Sequence, residues 1–262
     1  MVRPFNEYLA RISFIARESS FYADVLYYYG DKIPNYAGHK NGRFVVAPGF
    51  DYEVINTEIL MKLVSVNGEL VLPGGARFKI LCLENEGEIN SGVLLKLKEL
   101  AGSGALIIGE KPGKFTRLKD SGDTTDYQNL TDKLWIDFSN RRTSRVLPRS
   151  KIISGISPEQ ALSKINVVPD FTYKDDSFYF LDYIHYEYDD LHFYFVRNTQ
   201  AKWLSYNCSF RQTDKVPEIW DPVTGKIFPV PVYDQNNDYI TIPAAFAPYG
   251  SFFFVFRDGI PD

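Results

Sequence analysis

The stretch from Arg77 to Gly109 constrains the fold of this chain more than any other. Phe78-Lys-Ile-Leu-Cys-Leu83 is a nearly unbroken apolar run of strand length, as expected of a parallel strand covered on both faces. Asn90 and Ser91 then offer an amide and a hydroxyl as helix N-caps. Val93, Leu94, Leu97 and Leu100 recur at helical spacing, and Gly102 and Gly104 close the helix. Ala105-Leu-Ile-Ile108 supplies a second apolar strand. Strand, helix and strand within about 30 residues predict a βαβ unit with a right-handed crossover, and hence a parallel sheet. These residues alone specify no catalytic site.

On the amino-terminal side, Asn6 to Ser19 has a helical pattern with Leu9, Ile12, Phe14, Ile15 and Ala16 on one side. No strand precedes it, so its apolar face calls for a partner that the nearby sequence does not supply. Ala23-Asp-Val-Leu-Tyr-Tyr-Tyr29 reads as a first parallel strand closed by Gly30-Asp31, and a polar loop containing His39 follows. Loops at the carboxyl ends of parallel strands are where α/β folds place their sites. Asp31 and His39 are therefore candidates for a cleft rim, although a lone loop histidine is ordinarily just solvated. Pro48-Gly-Phe-Asp-Tyr-Glu-Val-Ile-Asn56 predicts the opening of the next helix, with Asp51 as N-cap and Phe50 and Ile55 as its hydrophobic staple. Asp51 and Tyr52 would adjoin the same rim. Asp51 and Glu53 also suggest an acid/base pair, but a cap and a first-turn acid account for both.

Asn67-Gly68 is a two-residue turn signal joining Val64-Ser-Val66 to Glu69-Leu-Val-Leu72. Gly74-Gly75 precedes a strand instead of a helix N-terminus, which excludes a phosphate loop. Cys82 lies inside its strand without the small-residue elbow that exposes a nucleophile, and reads as core. Ser121 to Ile136 is expected to be helical around Leu130, Leu134 and Trp135, and Ser157-Pro158 starts a further helix with Pro at N1. Between them Arg141 to Ser150 holds four arginines and no acid, the composition of a solvated charged loop.

From Ser177 the character changes. Aromatic-rich strand candidates recur at hairpin spacing, separated by turns such as Asp189-Asp190, Asn236-Asn237-Asp238 and Pro248-Tyr-Gly250. The alternation in Phe193-Tyr-Phe-Val-Arg is of the kind that buries one face, so an antiparallel β-sandwich-like domain is expected. Trp203 and Trp220, with Tyr206 nearby, are candidates for stacking on sugar faces; the competing reading puts these rings in the core or under turns. With 262 residues, 45% of them apolar, the chain suits two modest domains, and its net charge of −4 with scattered Lys and Arg argues against a nucleic-acid footprint. Cys82 and Cys208 fall in different expected domains and read as free thiols. There is no run of membrane-span length and no signal peptide.

Several phrases resemble the region that follows the catalytic barrel in glycoside hydrolase family 106, the α-L-rhamnosidase type. They are Ala23 to Pro34, Pro48 to Asn56, Leu72-Pro-Gly-Gly through Ile80-Leu, Pro217-Glu-Ile-Trp-Asp-Pro-Val-Thr-Gly225 and Pro248-Tyr-Gly-Ser251. The Arg77 to Gly109 unit also resembles the amidotransferase-like domain that follows the barrel in other glycosidase families. The resemblance implies an α/β plus all-β architecture. Residues 1–20 would be a leading helix ending a barrel absent from this chain, residues 21–172 a flavodoxin-like, amidotransferase-like parallel-sheet domain, and residues 173–262 the β-sandwich-like domain. It further implies a non-catalytic accessory region of a rhamnosidase-like glycoside hydrolase, partnered by that barrel or by a second copy of the chain. The alternatives are a carbohydrate-binding module and a free-standing hydrolase. No residue matches the family's catalytic motif, so no catalytic acid, nucleophile, cofactor or metal ligand is assigned. Neither nucleic acid nor membrane is expected as a partner, and full-length relatives are expected to be exported to the periplasm.

Overall fold

A computed structural model describes residues 2–31, 35–40, 42–84, 87–116, 124–139, 147–173 and 180–259. Helix α1 (Val2–Glu18) and strand β1 (Ser20–Tyr22) come first. The chain divides into two compact units, Ala23–Val167 on its own, and Met1–Tyr22 together with Val168–Asp262.

The Ala23–Val167 unit is the α/β part. Its elements are β2 (Val25–Tyr28), β3 (Tyr52–Ile55), α2 (Thr57–Lys62), β4 (Val64–Val66), β5 (Glu69–Val71), β6 (Arg77–Phe78), β7 (Ile80–Leu83), β8 (Glu88–Asn90), α3 (Ser91–Gly102), β9 (Leu106–Ile108), β10 (Lys114–Thr116), α4 (Thr124–Leu134), β11 (Trp135–Asp137), β12 (Ile152–Ser154) and α5 (Pro158–Lys164). Six of the strands form one sheet in the order β11-β12-β9-β7-β2-β3, with every pairing parallel. Ile80, Leu81 and Cys82 are all buried, as are Leu106, Ile107 and Ile108, so the central strands have no polar face. The β7-α3-β9 crossover is the one expected from the sequence, and Asn90 caps α3 by accepting from the Val93 amide at 2.8 Å.

Three expectations need correcting. The helix expected over Ser121 to Ile136 ends at Leu134, and Trp135 and Ile136 belong to strand β11, paired parallel with β12. The apolar run at Phe78–Leu83 is divided: Arg77–Phe78 pairs antiparallel with β5, and only Ile80–Leu83 enters the parallel sheet. The switch occurs at Lys79 and Ile80, whose amides both donate to the Asp24 carbonyl. Pro48–Asn56 does not open a helix, and Asp51 is not an N-cap. Tyr52–Ile55 is the edge strand β3, and α2 begins only after Asn56, whose side chain accepts from the Ile59 amide at 3.0 Å. Phe50, Ile55 and Leu60 are spaced as readily for a strand entering a helix as for one helix. Pairing with β2, which only the tertiary fold supplies, decides the matter.

The smaller features follow the sequence closely. β4 and β5 form the expected hairpin, with Asn67 at φ 54° and Gly68 at φ 84°, both in the left-handed region that a two-residue primed turn requires. Ser157 and Gln160 close a capping box around Pro158 at the start of α5. Most of the arginine-rich loop, including Arg141, Arg142 and Arg145, lies outside the described residues.

In the second unit α1 and β1 are joined by β13 (Phe171–Tyr173), β14 (Leu181–Tyr188), β15 (Leu191–Asn198), β16 (Leu204–Phe210), β17 (Val216–Trp220), β18 (Ile227–Pro229), β19 (Asp234–Gln235), β20 (Ile240–Phe246) and β21 (Ser251–Arg257). They form two antiparallel sheets, β1-β14-β15-β21-β17-β18 and β13-β16-β20-β19. Tyr194, Val196, Phe254 and Phe256 of the first sheet share a buried cluster with Cys208, Phe210, Ile240, Ile242 and Phe246 of the second. The opposite face of the first sheet, at Phe193, Phe253 and Val255, is where Ile12 and Ile15 of α1 pack. Val2, Phe5 and Leu9 of that helix are exposed, at 70, 59 and 42%, and so is Phe14, which the sequence placed on the apolar side. Both cysteines are free and buried.

Candidate functional site

Three places concentrate polar or aromatic chemistry. The first is the carboxyl edge of the parallel sheet. Asp31 follows β2 and accepts from Asn90 Nδ2 at 2.8 Å, from Tyr28 OH at 3.5 Å and from Thr57 Oγ1. It thereby ties the end of β2 to the starts of α2 and α3. Glu84 follows β7 and is gripped by Arg43, whose Nε donates to Oε1 at 2.7 Å and whose Nη2 reaches Oε2. The same guanidinium donates to the Tyr36 and Tyr29 carbonyls at 2.8 and 3.3 Å. A planar fork with five donors suits such a clamp, which pins the loop before β3 over the sheet edge.

The sheet register separates the rim residues named from sequence. Val25 is opposite Tyr52, so Asp51 and Tyr52 stand at the amino end of β3 and Asp31 beyond the carboxyl end of β2. Asp51 is buried, receives Lys40 Nζ at 2.8 Å and accepts from its neighbour's amide, Tyr52 N, at 2.9 Å. Tyr52 packs half-buried against the rings of Tyr27 and Phe44 at 5.5 and 6.2 Å. His39 is exposed, and its carbonyl accepts from the Gly42 amide at 3.0 Å. Asp31 and Asp51 therefore do not border a common cleft.

The second place was not recognised from sequence. Asp170, in the segment leading to β13, is buried and accepts from Tyr194 OH and His185 Nδ1, each at 2.9 Å, with an Arg211 nitrogen 3.4 Å away. Gln212 Nε2 donates to Tyr194 OH at 3.0 Å, and His185 Nε2 lies 3.0 Å from His192 Nδ1, so one of those two nitrogens carries the shared proton. The Tyr22 ring covers His185 at 4.4 Å, and Tyr194 stacks on it at 3.8 Å. Burial would push the Asp170 carboxyl up, but His185, Arg211 and Tyr194 outweigh it and hold the carboxyl below its usual range. Burial, reinforced by the Asp170 charge, pushes the Tyr194 hydroxyl well up. Burial and then the His185 and Lys215 charges lower His192 to about 3. With His185 and Tyr194 wholly enclosed, this is a satisfied polar core between the sheets and is closed to a substrate. A β-hairpin register could have suggested it, because His185 sits opposite Tyr194 and diagonal to His192.

The third place is the aromatic surface of the β unit. Trp203 immediately precedes β16 and is 71% exposed. Along that strand Leu204, Cys208 and Phe210 turn inward and Ser205 and Asn207 outward, so Tyr206 shares the inner face and packs half-buried on Tyr173 at 5.0 Å. Trp220 is on β17 in the other sheet, half-buried and edge-on to Phe193 at 5.6 Å, with Nε1 donating to Glu218 at 2.9 Å. The three rings named from sequence thus form no common surface. A ring that the sequence marked only as part of a turn, Tyr249, is 69% exposed.

Among the described residues no group of three or more His, Cys, Asp or Glu side chains is placed to hold a metal. Burial pushes the Cys82 thiol well up and the nearby Glu159 charge adds to this, which leaves it inert as a nucleophile.

Comparison with known proteins agrees with the phrases noted in the sequence. A family model described as alpha-L-rhamnosidase, glycoside hydrolase family 106, matches residues 1–235. The rhamnosidase of Novosphingobium sp. PP1Y superposes with a TM-score of 0.83 at 26% identity, covering 99% of this chain and 25% of that one. A Formosa agariphila protein provisionally named a beta-glucuronidase is 28% identical over 98% of this chain, which spans 21% of that relative's length. A beta-galactosidase from Bacillus circulans sp. alkalophilus shares the fold at a TM-score of 0.51 and 9% identity, covering 92% of this chain and 42% of that one.

Proposed function

Since the chain belongs to the alpha-L-rhamnosidase family of glycoside hydrolases, we propose that it is a non-catalytic accessory region of such an enzyme, buttressing a catalytic barrel that is not part of this sequence. In this reading Ala23–Val167 is a flavodoxin-like, amidotransferase-like domain and the two antiparallel sheets make a β-sandwich. The barrel would cover the amino-terminal part of α1, where Val2, Phe5 and Leu9 are exposed.

The observation that carries the proposal is how the acids at the parallel sheet are engaged. Glycoside hydrolysis generally needs two carboxyl groups roughly 5 to 10 Å apart across a sugar-sized cleft, one to protonate the leaving oxygen and one to attack or to activate water. Asp31 ties two helix starts to a strand, Glu84 is clamped by Arg43, and Asp51 is buried against Lys40 at the other end of the sheet. Each already has a structural partner. The length supports the same view, because the chain spans only 21 to 25% of the first two relatives.

The test is to incubate the purified chain with an aryl α-L-rhamnoside beside a full-length relative. The relative is expected to release the aryl alcohol and the chain to release none. Hydrolysis by the chain that disappears on Asp31→Asn, Asp51→Asn or Glu84→Gln would replace the accessory reading with that of a free-standing hydrolase.

A further inference from the structure

We propose that the edge of the β unit carrying Trp203 and Tyr249 is a carbohydrate-docking platform. This goes beyond the accessory role, because it gives that region a ligand of its own.

The two loops that bear the rings are fastened to each other. Asn198, buried at the end of β15, donates through Nδ2 to the Lys202 carbonyl at 2.7 Å and to the Ala247 carbonyl at 2.9 Å. Its Oδ1 accepts from the Gln200 amide at 2.8 Å. The backbone adds Asn198 N to Gly250 O at 2.8 Å and Tyr249 N to Gln200 O at 3.1 Å. Leu204, next to Trp203, is opposite Phe246 in the ladder, so both ring-bearing segments leave the same end of the β16/β20 pair. Tyr249 adopts φ 56°, an uncommon conformation for a residue with a side chain, and keeps its ring exposed.

The setting points to a sugar. Protein-docking surfaces are typically contiguous apolar patches. Here Gln200, Lys202, Ser205 and Asn207, half-buried or exposed, alternate with the small exposed Pro243, Ala245 and Pro248, so the rings stand in a mixed polar and apolar setting. Sugars offer that mixture in reverse, with C–H faces that stack on aromatic planes and hydroxyls that bond polar neighbours. Because the loops are held before any ligand arrives, little ordering entropy is lost on binding. Trp220 and Tyr206, engaged in packing, take no part.

Affinity electrophoresis of the intact chain through gels containing a polysaccharide with terminal α-L-rhamnosyl residues, or an unbranched glucan, tests this. Retardation by the rhamnosylated polymer is expected, with Trp203→Ala and Tyr249→Ala each weakening it about tenfold and Trp220→Phe leaving it unchanged. Thermal unfolding of each variant shows that the fold is kept. Absence of retardation in the rhamnosylated polymer, or retardation that survives the Trp203→Ala/Tyr249→Ala double variant, overturns the platform. So does a double variant whose only change is altered self-association in sedimentation, since the rings would then serve a protein contact. Binding without hydrolysis leaves the accessory reading standing, and hydrolysis without binding at this edge removes that reading and the platform separately.

Discussion

Asp170 is a carboxylate enclosed by two β-sheets and kept charged by what surrounds it. Replacing it with Asn preserves the shape but leaves Arg211 and His185 without their anionic partner, and breaking a buried ion pair in this way costs about 3 to 5 kcal/mol. Urea unfolding of Asp170→Asn is expected to show a loss of that size. The same network sets a pH dependence. His192 titrates near 3 in the folded chain and near 6.5 when unfolded, so its contribution is fully present above about 6.5 and falls as the pH drops toward 3. Within that window the loss is about 1.4 kcal/mol per pH unit for one proton. Asp170 acts in the same direction at lower pH, since its folded value lies below the unfolded one and its stabilisation disappears as it protonates. His192→Asn should flatten the upper part of this acid limb, between about pH 6.5 and 4, as read from urea midpoints across the range. Beyond the His185, His192 and Tyr194 hairpin, the network was not legible in the sequence, because Asp170 and Arg211 come from other segments and only the pairing of the strands brings them in.

For the elements, legibility followed local periodicity. The β7-α3-β9 unit could be read because a four-residue apolar strand, a capped amphipathic helix and a second apolar strand each carry their own signal. The entry to α2 could not, because Asp51 and Asn56 are both good caps and the apolar spacing between them fits a helix as well as a strand. The two assignments differ in mutational consequence. Asn56→Ala should destabilise the chain by about 0.5 to 2 kcal/mol, the usual cost of a lost N-cap. Asp51→Ala should act through the pairing of buried Asp51 with the exposed Lys40, so Lys40→Met in the Asp51→Ala background should cost less than Lys40→Met alone. A double-mutant cycle in urea that found the two substitutions additive would contradict that coupling. Leu81→Ala, in the middle of the parallel sheet and wholly buried, should exceed any cap loss, at about 2 to 5 kcal/mol.

At the scale of the whole molecule, the apolar residues of α1 are in different circumstances along its length. Ile12 and Ile15 pack on Phe193, Phe253 and Val255 of the β unit, so Ile15→Ala should lower the stability of the chain itself. Val2, Phe5 and Leu9 lie exposed on the same helix, where substitution changes little in the isolated chain. The sequence showed that this helix was too apolar to stand alone, but not which residues the β unit would cover, since that depends on where β15 and β21 present their rings. If the proposed barrel covers Phe5 and Leu9, each buried side chain contributes about 1.5 to 3 kcal/mol to the association. Phe5→Ser with Leu9→Ser should then leave the unfolding midpoint of the isolated chain unchanged while weakening its association with a separately expressed barrel at least tenfold. Calorimetric titration of the two pieces reads the affinity and urea unfolding reads the stability. Equal affinity for variant and parent would mean that the barrel approaches some other face, whereas a lowered midpoint in the isolated chain would mean that these side chains already pack within it.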